Sequence, residues 1–317
     1  MSNLRTIKER IFKAKDFVIA CHRNPDGDCI GSLLALGLGL KTLKKRVIMV
    51  SQDGVPLSYR GLPGANKITR RLGKVPDMAI TVDCNSKEMV GRPFKTIRKA
   101  KYLLEIDHHE FREPYGNMFL IDTKAASVGE MVYKLLYYLR IGITKEIAEN
   151  ILTSIIVETN SFRLPTVKPA TFNICYKLQK TGVDFHKISE TVYWSKTKQA
   201  VILSGICMSK LEFSRNGQIA WSIVSKKDFS SVKGRDEDVD PVANDILAIK
   251  AIKIAVLFRE KSQNILRVSL RAKGGINVAS LAYKYGGGGH FDSAGCQITN
   301  TKKEIRGFIE AAKRLLR

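Results

Sequence analysis

Four short apolar runs punctuate the first third of the chain: Phe17–Cys21, Val47–Val50, Met78–Val82 and Tyr102–Ile106. None alternates cleanly between apolar and polar residues, which is the pattern of strands buried on both faces. Around them apolar positions recur at helical spacing, in Ser32–Lys44 and in Ser127–Leu139 (SVGEMVYKLLYYL). Strands that each feed a helix predict an α/β domain, a parallel sheet with helices on both faces. Further on, Ile147, Ala148, Ile151, Leu152, Ile155 and Ile156 form another helical stripe, with Glu158 at its C-terminal end. The segment Asp184–Gln199 is polar and charged, and a strand-rich section follows it (Ile219–Val224, Ile254–Phe258, Leu266–Leu270) before a C-terminal helix. The expected organisation is a first domain over 1–184, a linker over 185–199 and a smaller α/β domain over 200–317.

A chain of 317 residues with 44% hydrophobic content is long enough to fill two such cores. Its longest weakly polar run, Cys29 to Leu40, is far shorter than the roughly 20 residues that cross a bilayer, so no membrane span is expected. The N-terminal MSNLRTIKERIFKAKDF is charged and amphipathic rather than signal-like, which points to the cytoplasm. The six cysteines form no CxxC pair and no regular spacing, against both a zinc ribbon and a disulfide framework. With 53 Lys+Arg against 30 Asp+Glu the formal charge is +23, a field that favours polyanionic partners and weak, nonspecific nucleic-acid binding. The lysines are spread evenly, as a generally basic proteome would also produce.

The candidate chemistry lies where the strands end. The first strand runs into His22-Arg-Asn-Pro-Asp26-Gly-Asp28, the third ends in Asp83, and the fourth ends in Asp107-His108-His109. Ligand sites of open parallel sheets lie beyond the carboxyl ends of the strands, so three strands deliver acids and imidazoles to one edge. Asn-Pro-Asp-Gly alone is also the sequence of a plain turn, and a strand-end Asp is often a cap. The histidines argue otherwise: the chain has five, and His22, His108, His109 and His290 all fall in the segments singled out here, leaving only His186. Carboxylates this close repel unless a cation or proton lies between them. Hard carboxylates mixed with imidazoles, without thiolates, suit manganese, magnesium or iron better than structural zinc. Two ions with a shared bridging Asp fit the ligand count, and such pairs carry out in-line displacement at phosphorus, so phosphoester hydrolysis is the natural reaction. From the second domain, Arg271 on a strand and the Gly286–Gly289 run followed by His290 offer donors for a phosphate, although a glycine run is often only a flexible loop.

With these segments in place the chain resembles the DHH phosphoesterase family over nearly its full length. The resemblance rests on HxNPDGDxxGS at His22 to Ser32, the lone Asp83, the Asp107-His108-His109 triplet, and SLR plus GGGGHxxxAG in what would be the DHH-associated C-terminal domain. Length and the GGGGH segment are most similar to the oligoribonuclease and pAp phosphatase branch, the nanoRNases. The resemblance implies one ion on His22, Asp26 and Asp83 and a second on Asp28, Asp83, His108 and the fourth-motif acid, Glu158. It makes Asp107 an orienting residue and His109 a substrate or leaving-group contact, with Asp83, His108, His109 and Asp107 as the catalytic set. Arg163, Arg271, Gly287, Gly288, Gly289 and His290 would bind substrate. One departure stands out: the usual fourth motif reads Asp-Thr-Gly before Phe-Arg, whereas this chain has Glu158-Thr-Asn160-Ser-Phe162-Arg163.

The expectation is a manganese-dependent hydrolase of RNAs of about two to five nucleotides, and of pAp or linear dinucleotides, working in a cleft between the domains. A RecJ-type single-strand exonuclease is the alternative within the class, opposed by the lack of an extra nucleic-acid-binding domain in 317 residues. A nucleotide-binding regulatory protein of weak activity, with Glu158 as its hint, is the alternative outside it. Whether the chain is a monomer or a homodimer is left open.

Overall fold

The computed structural model describes residues 3–194 and 196–316. The chain divides into two compact units, Met1–Ser195 and Lys196–Arg317.

In the first unit β1 (Asp16–Ala20), β2 (Arg46–Val50), β3 (Ile68–Thr69), β4 (Met78–Val82), β5 (Tyr102–Asp107) and β6 (Met118–Ile121) form one sheet in the order β3-β2-β1-β4-β5-β6. Every pairing is parallel. Strand order reverses between β1 and β4, and the crevice at such a switch point is where doubly wound sheets bind ligands. Alternate side chains go to opposite faces. Phe17, Ile19, Met49, Met78, Ile80 and Val82 join one core with helices α1 (Leu4–Lys13), α2 (Gly27–Thr42), α5 (Val128–Tyr138), α6 (Lys145–Glu158), α7 (Pro169–Gln179) and α8 (Phe185–Tyr193). Val18, Ala20, Val50, Ala79 and Leu103 join the other with the short α3 (Lys87–Val90) and α4 (Phe94–Ile97). The parallel sheet with helices on both faces is therefore present. Fully buried side chains such as Leu33, Leu36 and Leu40 contribute about 1.5–3 kcal/mol each.

Two expected boundaries move. The helix expected from Ser32 begins at Gly27, because the Asp26 carboxylate accepts from Cys29 N at 3.0 Å and caps it five residues earlier. The segment 185–199, expected as a linker, is largely helical: Phe185–Tyr193 is α8, capped by Asp184, and its Ile188 is buried in the first core. One apolar position per turn was enough to anchor a segment whose composition is otherwise polar.

The second unit carries α9 (Lys198–Ser209), β7 (Glu212–Phe213), β8 (Ile219–Val224), α10 (Lys226–Val232), α11 (Val242–Leu247), β9 (Ile254–Ser262), β10 (Ile265–Ala272), α12 (Ala279–Lys284), β11 (Gly288–His290), β12 (Ser293–Thr299) and α13 (Lys302–Arg314). Its sheet runs β11-β12-β10-β9-β8-β7, with β8 and β9 parallel and the other pairs antiparallel. Ile254, Val256 and Phe258 of β9 face a core that includes Phe308 of α13, while Ala255 and Leu257 face one built with α9 and α11. Part of the glycine run is thus a strand rather than a loop. A Cβ at Gly287 would lie 2.1 Å from Gly295 O, and one at Gly289 would lie 2.4 Å from Ser293 O. These glycines are needed for backbone to approach backbone.

Candidate active site

Asp28, Asp83 and Asp107 are buried beside His22, His108 and His109, in the first unit and at the carboxyl ends of β1, β4 and β5. Three backbone features deliver them. Chain leaving β1 brings His22 to the edge and then caps α2 with Asp26, placing Asp28 in the helix's first turn. Asp83 follows β4 with φ +58, a left-handed conformation that Asp tolerates better than most residues, and its N–H donates to Ile106 O at 2.9 Å. Asp107 is the last residue of β5, so His108 and His109 follow directly.

The Asp83 carboxylate faces two imidazoles at once. Its Oδ2 lies 3.5 Å from His22 Nε2 and its Oδ1 lies 3.7 Å from His108 Nε2. Asp26 Oδ1 is 3.8 Å from the same His22 nitrogen, while Asp28 Oδ2 and Glu158 Oε1 are 3.6 Å and 3.9 Å from the same His108 nitrogen. These separations exceed hydrogen-bond length and approach those of donors sharing an ion, since ligands about 2.0–2.2 Å from a metal lie about 3–3.5 Å apart. In both rings Nδ1 faces a carbonyl oxygen, Arg23 O at 2.8 Å for His22 and Ala125 O at 3.1 Å for His108. A carbonyl only accepts, so Nδ1 carries the proton and Nε2 is turned to the carboxylates, as in a metal-ligating tautomer. Asp83 Oδ1 is buried and accepts no hydrogen bond, which costs stability unless a cation or proton meets it. The donor set and this orphaned oxygen both fit a pair of divalent cations.

Charge tells the same story. Burial, reinforced by Asp83 and Asp26, pushes Asp28 up to about 7. Burial disfavours the His22 cation, yet Asp26 and Asp83 outweigh it and raise His22 well above its usual value. Burial also opposes ionisation of Asp26, but His22 and the Cys29 N–H bring it down to about 2. A cluster that draws protons onto both an acid and an imidazole is one that holds excess negative charge.

Although its closest partner is Asp107, His109 also faces Asp83, with Nδ1 3.6 Å from Asp83 Oδ1. Its Nδ1 lies 2.7 Å from Asp107 Oδ1, and although burial disfavours the imidazolium, Asp107 and then Asp83 raise the ring to about 9. Asp107 is backed by Arg112, whose Nε lies 3.4 Å from Asp107 Oδ2 and whose guanidinium also donates to the fully buried Glu105.

Several supporting residues escaped the sequence reading. Asp28 Oδ1 accepts from Ser154 Oγ at 2.6 Å and Ser32 Oγ at 3.1 Å, and Asp28 Oδ2 accepts from Val128 N at 3.0 Å in the first turn of α5. This is possible because helices α2, α5 and α6 come very close: a Cβ at Gly31 would lie 2.4 Å from Asn150 O and one at Gly129 would lie 2.1 Å from Ser154 Oγ. Gly31, inside the first motif, is a packing residue. Cys29, which the cysteine spacing did not single out, brings Sγ within 4.8 Å of the donor atoms of His22 and Asp26. Arg112 and Glu105 carried no signal beyond proximity to the Asp-His-His triplet. Arg163 is folded back on Asn160, donating to its O at 2.7 Å and Oδ1 at 2.6 Å. In the second unit Arg271 Nε donates to Asn244 Oδ1 at 3.1 Å, and His290 pairs with Ser293 at the end of β11.

Buried carboxylates and imidazoles gathered at the switch point of a doubly wound sheet define the class as a hydrolase of phosphate esters. Residues 16–157 match the DHH family N-terminal domain and residues 220–317 match the DHHA1 domain, so the chain belongs to the DHH family of phosphoesterases. It is 29% identical over 283 residues to the bifunctional oligoribonuclease and PAP phosphatase NrnA of Thermus thermophilus, covering 88% of this chain and 83% of that relative. Among solved structures it resembles an exopolyphosphatase-related protein from Bacteroides fragilis with a TM-score of 0.89 at 24% identity, covering 98% of this chain and 94% of the other. The manganese complex of RecJ from Thermus thermophilus shares the fold with a TM-score of 0.56 at 13% identity, covering 98% of this chain and 54% of RecJ. No helix among the described residues is long and apolar enough to cross a membrane.

Proposed function

We propose that this enzyme hydrolyses phosphoester bonds in oligoribonucleotides of about two to five nucleotides, and in pAp or linear dinucleotides, using two divalent cations, manganese being the best suited. The carrying observation is Asp83, one carboxylate whose two oxygens face His22 and His108 at 3.5 Å and 3.7 Å. His22, Asp26 and Asp83 would hold one ion, and Asp28, Asp83, His108 and Glu158 the other. When bound, the ions supply the Lewis-acid charge that hydrolysis at phosphorus needs near neutral pH. The protein's own groups do the rest. The Arg23 and Ala125 carbonyls fix the ligating tautomers of His22 and His108. Ser154, Ser32 and the first turn of α5 orient Asp28. Asp107 holds the proton on His109 Nδ1 and keeps the ring charged, so that Nε2–H is available to the leaving oxygen. Arg112 steadies Asp107. Arg271, His290 and the amides of Gly287, Gly288 and Gly289 are assigned to a terminal phosphate, and Arg163 to substrate once it releases Asn160.

The identity of the relative named NrnA over most of both chains favours this reading over the RecJ-type alternative, for which the likeness is one of fold. Glu158 in place of the usual Asp favours a second reading, a nucleotide-binding protein with little turnover. Purified protein with manganese, offered pAp, a dinucleotide, a pentamer and a strand of about 20 nucleotides, decides. Cleavage confined to the short substrates is the expected result. Processive digestion of the long strand would support the RecJ-type alternative, and no cleavage at any length would support the binding-protein reading.

A further inference from the structure

Five exposed aromatic side chains gather on three helices of the first unit: Phe12 on α1, Tyr137 and Tyr138 on α5, Phe172 and Tyr176 on α7. Tyr137 is 70% exposed and Tyr176 61%, far beyond what core packing requires of either. Each ring has an ammonium group near it or near its neighbour. Lys177 Nζ lies 5.8 Å from the Tyr137 centroid, Lys180 Nζ 4.5 Å from that of Tyr176, and Lys8 Nζ 5.3 Å and 5.9 Å from those of Tyr138 and Phe12. Lys177 thereby joins α7 to α5, and Lys8 joins α5 to α1. At one end the track reaches the chain just beyond Glu158: Phe172 stacks on Phe162 with centroids 5.3 Å apart, and Phe162 follows Glu158 by four residues, in a turn where Asn160, Ser161 and Phe162 all have positive φ. The surface is short of countercharge. Helix α7 has no acidic residue, Glu130 of α5 is buried, and Glu9 of α1 lies 3.3 Å from Arg5.

Flat rings interleaved with cations are the chemistry that binds single-stranded nucleic acid, bases stacking on the rings and phosphates meeting the ammonium groups. A second copy of the chain is a poorer occupant, because it would set lysine against lysine. We propose that this face is an accessory binding site for single-stranded nucleic acid, with bases on Tyr137, Tyr176 and Phe172 and phosphates on Lys8, Lys177 and Lys180. The site is separate from the catalytic cluster and needs no turnover. It would hold strands longer than the enzyme cuts and present their ends near Glu158.

The test follows anisotropy of a labelled single strand of about 15 nucleotides in roughly 0.1 M salt, with dinucleotide hydrolysis measured on the same preparations. The Tyr137→Ala/Tyr176→Ala variant should bind the strand at least about tenfold more weakly, while Tyr137→Phe/Tyr176→Phe, which keeps both rings, should bind like wild type. Lys177→Glu/Lys180→Glu should lower the salt slope of binding by about two. Dinucleotide hydrolysis should be unchanged in all three, which also shows that they fold. Unchanged strand affinity in the alanine variant would overturn the site. Equal competition by inorganic polyphosphate at matched charge would overturn the stacking. A wild-type dimer that becomes monomeric in the alanine variant with strand affinity intact would make this face a self-association surface instead. Ring-dependent binding without dinucleotide hydrolysis would leave this site standing and remove the catalytic proposal, whereas hydrolysis without ring-dependent binding would do the reverse.

Discussion

At the carboxyl ends of β1, β4 and β5, charged side chains are buried, held in place by backbone carbonyls and helix termini, and left with an excess of negative charge. In the second unit, the residues assigned to substrate sit on an antiparallel part of a sheet. Arg271 is bonded to Asn244 and to Leu270 O, and two of the glycines are committed to close backbone contacts. The first arrangement is costly without a cation, because it concentrates carboxylates in a low-dielectric place. The second is internally satisfied and stable as it stands. Residues that look alike in a motif therefore differ in what they demand: one set needs a cation or a proton among its carboxylates, the other is already paired within the protein.

That contrast can be broken most decisively at Asp83. Asp83→Ala removes the carboxylate facing both imidazoles, so manganese stoichiometry should fall and turnover should drop at least about a thousandfold. Wild-type metal content and rate in this variant would refute the two-ion assignment. Metal content by elemental analysis and the rate on dinucleotide measure both.

A second test uses pH. Asp28 is raised from its usual 3.8 to about 7, so its protonated form stabilises the ion-free protein fully below about pH 4, and that contribution is lost as pH rises towards 7. The cations must displace this proton and the one on His22, which is also raised well above its usual value, so manganese affinity should climb at least about tenfold per pH unit between about 5 and 7 and go on climbing above. Calorimetry in buffers of different ionisation enthalpy counts the protons released. A flat affinity across that range would mean that Asp28 is not a ligand.

The second unit should respond differently to each kind of change. Gly287→Ala places a Cβ 2.1 Å from Gly295 O and should cost about 2 kcal/mol or more in denaturant unfolding. Arg271→Ala and His290→Ala should raise KM by about tenfold with metal content unchanged. If all three instead left both stability and kinetics at wild type, the second unit would drop out of the mechanism.

The smallest effect is expected at the departure from the family motif. Glu158→Asp shortens an acid that lies 3.9 Å from His108 Nε2, and kcat/KM should change by only a few fold, whereas Glu158→Ala should cost more than about tenfold. Activity appearing only in Glu158→Asp would mark the natural chain as the binding protein.

Much of the first unit was legible because buried parallel strands need continuous apolar runs: β1, β2, β4 and β5 fall within a residue of their expected limits. The strands that were not anticipated, β3, β6, β7, β11 and β12, are short, edge-lying or rich in small residues, where periodicity has too few positions to register. The site shows the same division. Acids and imidazoles at strand ends were visible from residue type and spacing, since a parallel sheet must bring its carboxyl ends to one edge. Sequence could not say that Asp26 caps a helix, that Ser154 and the first turn of α5, a hundred residues or more from Asp28 in the chain, hold that carboxylate, or that Gly31 and Gly129 are small so that helices can touch. Nor could it separate a glycine run that binds from one that pairs as a strand. Residue type and local spacing determine which groups can carry the chemistry. Which atoms face one another, and which are left without a partner, is decided only when distant segments are packed at the density of a folded core.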